Sequence, residues 1–239
     1  LTCSGSDGNK TEGGKAGIYV PQGSSLVDVG TDHAYLPVWL IQNERVQLPV
    51  TACDINAGPL DRARSSACEY GVEQSISFLL NDGLAGTSEE LAETVVIAGM
   101  GGETIAGIID ASGWNWSRRH SLVLQPMSKI PELCTYLYSA GFHIEKNRLV
   151  RDGGEIYRVL LARRGERSMP SPLELYTGEL DPGDPLSVEY LKKLETKFRR
   201  AAQGLESSGR ADEKTLRGLH ELCYAAEALG RKMKYGVDK

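Results

Sequence analysis

Four carboxylates and several glycines fall where apolar runs of the chain end. Asp28, Gly30, Asp32 and His33 lie in Leu26–Pro37, Leu-Val-Asp-Val-Gly-Thr-Asp-His-Ala-Tyr-Leu-Pro, where a short apolar run breaks into a polar turn and continues with helical spacing. Asp54 closes the run Val50–Cys53, 26 positions after Asp28. Asn81-Asp82-Gly83 follows Ile76–Leu79, and Ala98-Gly99-Met100-Gly101-Gly102 ends a fourth run that starts at Thr94. Side chains at the carboxyl ends of parallel strands line the crevice in which open α/β sheets hold their ligands, and an acidic residue ending the second strand accepts hydrogen bonds from both hydroxyls of a ribose. A nucleoside-containing ligand is therefore expected along this edge. The bland alternative makes Asp32 a helix cap and Gly30 a bend.

The first turn narrows the choice of nucleoside. Gly30-Thr31-Asp32-His33-Ala34 lacks the Gly-x-Gly-x-x-Gly that brings a pyrophosphate against backbone amides at a helix N-terminus, and its carboxylate would repel a diphosphate. A sulfonium cation is instead attracted by Asp28 and Asp32, so S-adenosyl-L-methionine fits better than a dinucleotide. Asn81 or Asp82 is placed to accept from the exocyclic amine of an adenine, although Asn-Asp-Gly is also an ordinary loop. Three glycines within Gly99–Gly102 let the backbone pass close to a planar substrate, which a tight helix entry alone does not require.

These positions need a scaffold of alternating strands and helices. Short β-branched runs predict strands over Leu26–Val29, Val50–Cys53, Ile76–Leu79, Thr94–Ala98 and Ser121–Leu124, with amphipathic helices between them over Ala34–Asn43, Pro59–Tyr70, Gly101–Ile109 and Lys129–Ala140. Two extended runs, His143–Val150 and Glu155–Ala162, flank Arg151-Asp152-Gly153-Gly154 and predict a hairpin. The fold class is α/β, a Rossmann-like class I methyltransferase sheet closed by an antiparallel hairpin. Residues 18–165 form this domain, 1–17 a flexible Gly-rich arm, and 166–186, with Pro170, Pro172, Pro182 and Pro185, a linker. Two apolar stripes, Leu186 to Leu205 and Leu216 to Leu229, separated at Ser207-Ser208-Gly209, predict a coiled-coil-like helical hairpin over residues 187–239.

Composition restricts what such a chain does. Its 239 residues are 41% hydrophobic and 25% charged, ordinary globular values. The net charge of −5 argues against nucleic acid at first sight, yet residues 1–169 carry all of it, with 15 Lys+Arg against 20 Asp+Glu, while residues 170–239 balance at 12 of each. Lys192, Lys193, Lys197, Arg199 and Arg200 cluster on the first C-terminal helix. Such a run is often just a solvated face, and it also suits phosphates. Five cysteines without a C-x-x-C pair and four scattered histidines signal neither a disulfide framework nor a metal site. No apolar run is long enough to span a bilayer and no signal core opens the chain, so a cytoplasmic protein is expected.

Several stretches together resemble the bacterial tRNA (adenine-22-N1)-methyltransferase, or TrmK-like, family: Asp-Val-Gly-Thr-Asp-His-Ala-Tyr-Leu-Pro at 28–37, Asn-Ala-Gly-Pro-Leu at 56–60, Ile-Ala-Gly-Met-Gly-Gly at 97–102, Leu-Gln-Pro at 124–126 and Gly-Glu-Ile-Tyr at 154–157. The chain departs from the family pattern at Cys53-Asp54, where Gly-Glu is usual, and no Leu-Ser-x-Arg-Leu precedes the first strand. The resemblance implies that Asp28, Gly30, Asp32, His33, Asp54, Ile55, Asn81, Asp82, Gly83 and Gly99 line a pocket for S-adenosyl-L-methionine. It further implies that Asp32, Gly99 and Met100 form the catalytic wall, that Gln125 faces the acceptor base, and that the partner is tRNA. Lys192, Lys193 and Arg200 would then contact tRNA, in a monomer or weak homodimer without metal. A methyltransferase of a small metabolite or protein and a non-catalytic RNA-binding protein remain the alternatives at this point.

Overall fold

The structure is a computed structural model that describes residues 17, 19–90, 92–208 and 212–236. The expected arm, 1–17, lies outside the described residues except for Gly17, which is buried against Trp39. The chain divides into two units, Leu1–Asn147 with Tyr157–Met169, and Arg148–Ile156 with Pro170–Lys239.

The first unit is built around a seven-stranded sheet of β1 (Leu26–Val29), β2 (Val50–Asp54), β3 (Ile76–Leu80), β4 (Thr94–Gly101), β5 (Ser121–Ser128), β6 (Phe142–Asp152) and β7 (Glu155–Arg164). The spatial order is β3-β2-β1-β4-β5-β7-β6. The first five strands are parallel, with Val29 opposite both Cys53 and Ile97, and β7 runs antiparallel to β5. All four residues of β1 are buried, as a strand covered on both faces requires. The covering helices are α1 (Tyr35–Gln42), α2 (Ala57–Glu69), α3 (Gly102–Ala111) and α4 (Ile130–Ser139). Small side chains, Ala34, Ala52, Ala63 and Ala67, with Val38, Val72 and Ile76, let α1 and α2 sit close on the sheet. Residues 153–154 join β6 to β7, and both glycines have positive φ (52° and 85°), the conformation that matches the twist of a tight hairpin.

β4 and β5 run past their expected ends at Ala98 and Leu124, through two shifts of register. Ala98 pairs with Gln125 and Met100 with Pro126, so Gly99 is the extra residue on β4; Gly101 then pairs with Ser128, so Met127 is the extra residue on β5. The two bulges compensate, and pairing resumes beyond them.

The second unit holds α5 (Pro172–Thr177), α6 (Pro185–Ser208) and α7 (Glu213–Tyr235). Its core is Leu149, Tyr190, Leu191, Leu194, Phe198 and Ala226, with Ile156 and Tyr176 packed against it. The tip of the β6–β7 hairpin therefore belongs to this unit and not to the domain 18–165 expected from sequence, because Leu149 and Ile156 bury themselves among the helices. The expected linker, 166–186, likewise contains a helix. Ser171 accepts from the Glu174 N–H while the Glu174 carboxylate accepts from the Ser171 N–H, a reciprocal cap with proline in the first turn that outweighs the surrounding proline density.

Candidate active site

The carboxyl ends of β1 to β5 share one edge of the parallel sheet, which gathers the residues singled out above. After β1 the Gly30 and Thr31 N–H groups both donate to the Cys53 carbonyl, at 2.8 and 3.0 Å, pinning the turn to the end of β2. Gly30 has φ of +77°, the left-handed region that favours glycine, and the Met100 methyl lies over it, 2.0 Å from where a Cβ would sit. His33 and Ala34 follow with φ of 65° and 52°, two consecutive left-handed non-glycine residues at about 1–2 kcal/mol each. His33 stacks on Tyr35 with ring centres 5.3 Å apart. Such strain concentrates where a fold holds side chains for a task.

Asp32 does not cap α1, whose start has no side-chain cap. Its Oδ1 is instead gripped by Arg62 of α2, through Nε at 2.9 Å and Nη2 at 2.8 Å, with His33 Nε2 at 3.7 Å. Asp28 lies beneath the turn, only 7% exposed. Burial pushes its carboxyl from 3.8 up to about 6; the Thr31 hydroxyl is near enough to offset part of this, yet it is itself buried and makes no hydrogen bond of regular geometry. The Cys53 thiol is pushed up to about 12, by burial first and then by the charges of Asp28 and Asp54, which rules it out as a nucleophile at neutral pH.

At the end of β2 the Asp54 Oδ1 accepts from the Asn56 N–H at 2.7 Å, and Ile55 is exposed. The Asn81 N–H donates to the Asp54 carbonyl at 3.0 Å, which ties the ends of β2 and β3 together. Asn81 Nδ2 donates to the carbonyls of Gly83, at 3.3 Å, and Ala85, leaving a buried Oδ1 without a partner. Asp82 is exposed beside it, and Gly83 (φ +57°) lies against Ile108, which a Cβ would meet at 3.0 Å.

At the ends of β4 and β5 the bulged Gly99 has φ of +77°. Its N–H donates to Gln125 Oε1 at 2.9 Å, and Gln125 Nε2 donates to Met127 Sδ at 3.3 Å. Gln125 is 4% exposed, whereas Met127 is 49% exposed. A Cβ on Gly102 would lie 2.3 Å from the Lys129 carbonyl, so the entry to α3 passes directly under the loop that opens α4.

In the second unit Lys192, Lys193, Lys197 and Arg200 line one depression with Thr196, Glu155 and Glu189. Lys193 pairs with Glu155 at 3.2 Å, Arg151 pairs with Glu189, and Arg199 pairs with Glu195. Lys192, Lys197 and Arg200 are exposed and form no ion pair among the described residues. Among the described residues no three His, Cys, Asp or Glu side chains gather as a metal site, and no helix is long and apolar enough to cross a membrane.

A sheet of this order with polar side chains along its carboxyl edge is the architecture of one large enzyme family, and residues 15–160 match the family described as a methyltransferase domain. The chain belongs to that family. It is 32% identical over 149 residues to a Bacillus subtilis tRNA (adenine(22)-N(1))-methyltransferase, which is 62% of this chain and 62% of that relative. The chain thus spans a little under two thirds of that curated relative. The solved structure of the B. subtilis tRNA methyltransferase TrmK superposes with a TM-score of 0.76 at 25% identity, over 94% of this chain and 97% of that one. A Streptococcus pneumoniae protein solved in complex with S-adenosyl-L-methionine gives a TM-score of 0.73 at 25% identity, over 88% and 97%. The TrmK-like resemblance is borne out by these relatives.

The fold brings Asp28, Gly30, Asp32, His33, Asp54, Ile55, Asn81, Asp82, Gly83, Gly99 and Met100 to one edge. Gln125 reaches that edge too, but its amide is occupied by protein on both sides instead of facing outward. Arg62, Thr31 and Met127 escape sequence reasoning. Arg62 meets Asp32 only through the packing of α2 on α1, and a bulge that exposes Met127 leaves no mark in a single sequence.

Proposed function

We propose that the chain is an S-adenosyl-L-methionine-dependent methyltransferase acting on N1 of an adenine, position 22, in tRNA. The observation that carries the reading is the turn after β1, where Gly30 is closed over by Met100 and carboxylates stand where a dinucleotide enzyme offers bare amides. The residues present fit the cofactor: carboxylates flank the Gly30 turn, and the unpartnered Asn81 Oδ1 is an acceptor waiting for an N–H such as an adenine amine. Asp54 would hold the ribose hydroxyls, Asn81 and Asp82 the adenine, and Asp28 and Asp32 would face the cationic end. The similarity to relatives named as tRNA methyltransferases supports the acceptor.

Bound cofactor supplies an electrophilic methyl group. The chain's part is to present the acceptor in line with it, which accounts for most of the rate gain. Adenine N1 has an in-plane lone pair and attacks without prior deprotonation, leaving the methylated base cationic. The Asp32 carboxylate, held by Arg62 through one oxygen, stabilises that growing charge, and the Gly99 peptide lets the base approach the backbone. The base has to be lifted out of the tRNA fold to reach this edge. The exposed cations of α6, Lys192 and Arg200 with Lys193 beside them, bind phosphates of the same tRNA.

Incubation with cofactor carrying a labelled methyl group tests the reading. The label should be bound by the purified chain, move to bulk tRNA and map by mass spectrometry to N1 of one adenine. Tight NAD binding with no response to S-adenosyl-L-methionine would falsify the cofactor assignment, and label moving only to protein or small molecules would replace the acceptor.

A further inference from the structure

We propose that Gln125 is a positioning residue that joins the two bulges of β4 and β5 into one rigid wall of the acceptor slot, and that it does not touch the acceptor itself. The inference rests on the function proposed above and specifies how that site is held. A bulged residue loses its ladder partner, so the Gly99 N–H and the segment around Met127 both need another anchor. One buried side chain provides both: Gln125 Oε1 accepts from the Gly99 N–H at 2.9 Å while Nε2 donates to Met127 Sδ at 3.3 Å. The amide orientation follows from chemistry, because a peptide N–H only donates and must face the oxygen, leaving the NH2 for the thioether.

The geometry makes the clamp directional. Gly99 precedes Met100, whose methyl closes over Gly30, so holding the Gly99 peptide also holds the side chain that lies on the cofactor turn. Met127, half exposed at the next strand end, offers a polarizable apolar face, which suits the flat face of an unstacked base. With its amide oxygen on Gly99 and its amide nitrogen on Met127, Gln125 fixes the spacing between them.

Two variants and two readouts test this. Gln125→Leu removes both bonds and should lower kcat/KM for tRNA at least about 30-fold, while the cofactor Kd shifts less than about 3-fold, as expected for loss of transition-state positioning. The Gly99 amide should lose its protection from hydrogen exchange in the same variant, a readout that needs no activity. Gln125→Glu distinguishes positioning from mere packing. When protonated, its carboxyl accepts from Gly99 and donates to Met127; when ionised it cannot donate. Its activity should therefore approach wild type at low pH and fall as pH rises through a burial-raised pKa, a limb absent from wild type, while Gly99 keeps an acceptor, and its protection, in both states. Wild-type kinetics in Gln125→Leu, or a Gln125→Glu pH profile that superimposes on wild type, overturns the inference. If the wild-type chain moves no label to tRNA, the proposed function falls, while unchanged Gly99 exchange in Gln125→Leu separately refutes the clamp.

Discussion

Replacing Asp28 by Asn should make the chain more stable and a poorer binder of cofactor at the same time. Burial raises the Asp28 carboxyl from 3.8 to about 6, so the folded chain pays for holding it ionised at neutral pH. A shift of that size corresponds to about 3 kcal/mol, an upper bound for one buried group. The sign follows from proton binding: between about pH 4 and 6 the folded chain keeps a proton that the unfolded chain has released, so stability falls as pH rises through that window and stays lower above it. Asp28→Asn removes the effect. Its unfolding free energy should exceed wild type by up to about 3 kcal/mol at pH 8, and the gap should shrink to about half at pH 5. Loss of a charged partner for the cationic ligand should weaken S-adenosyl-L-methionine binding by roughly 10- to 100-fold, the range for a hydrogen bond to a charged group. Wild-type affinity should itself fall below about pH 6, while that of the variant stays flat. Urea unfolding at the two pH values and calorimetric titration measure all three. A variant less stable than wild type, or a gap that ignores pH, would refute the reasoning.

Other perturbations probe the same edge and the second unit. Gly30→Ala places a methyl at φ +77° on top of Met100 Cε and should abolish measurable cofactor binding; adding Met100→Ala should recover part of the melting temperature but not all of it, since the backbone strain remains. Asp32→Ala should lower kcat about 10²-fold with little change in stability, because it caps no helix; a destabilised but fully active variant would remove it from the chemistry. Arg62→Gln breaks a half-exposed ion pair and should cost less than about 1 kcal/mol, while cofactor binding tightens as Asp32 is freed; weaker binding on calorimetry contradicts this. Charge reversal at Lys192, Lys193 and Arg200 should raise the tRNA KM and reduce the slope of log affinity against log salt by up to about 3. Lys193 should contribute least, because Glu155 already engages it, and a salt series that superimposes on wild type would leave α6 without a role in tRNA binding.

The sequence by itself determines the layered fold and the carboxyl edge of the sheet. Buried parallel strands need near-continuous apolar runs, and the runs starting at Leu26, Val50, Ile76, Thr94 and Ser121 all become strands. The polar turns that end them therefore meet along one edge. Gly153-Gly154 between two β-rich runs marks the closing hairpin for the same local reason. Only the tertiary structure decides what each polar side chain at that edge is bonded to. The grip of Arg62 on Asp32 joins positions 30 residues apart, one in the turn after β1 and the other on α2. The raised pKa of Asp28 comes from desolvation that only its burial beneath the turn supplies. The paired bulges at Gly99 and Met127 follow from the register of β4 against β5, a non-local quantity to which Gly-Met-Gly-Gly alone is indifferent. The unit boundary inside the β6–β7 hairpin has the same origin: Leu149 and Ile156 read as ordinary strand residues, and the helices that bury them lie far along the chain.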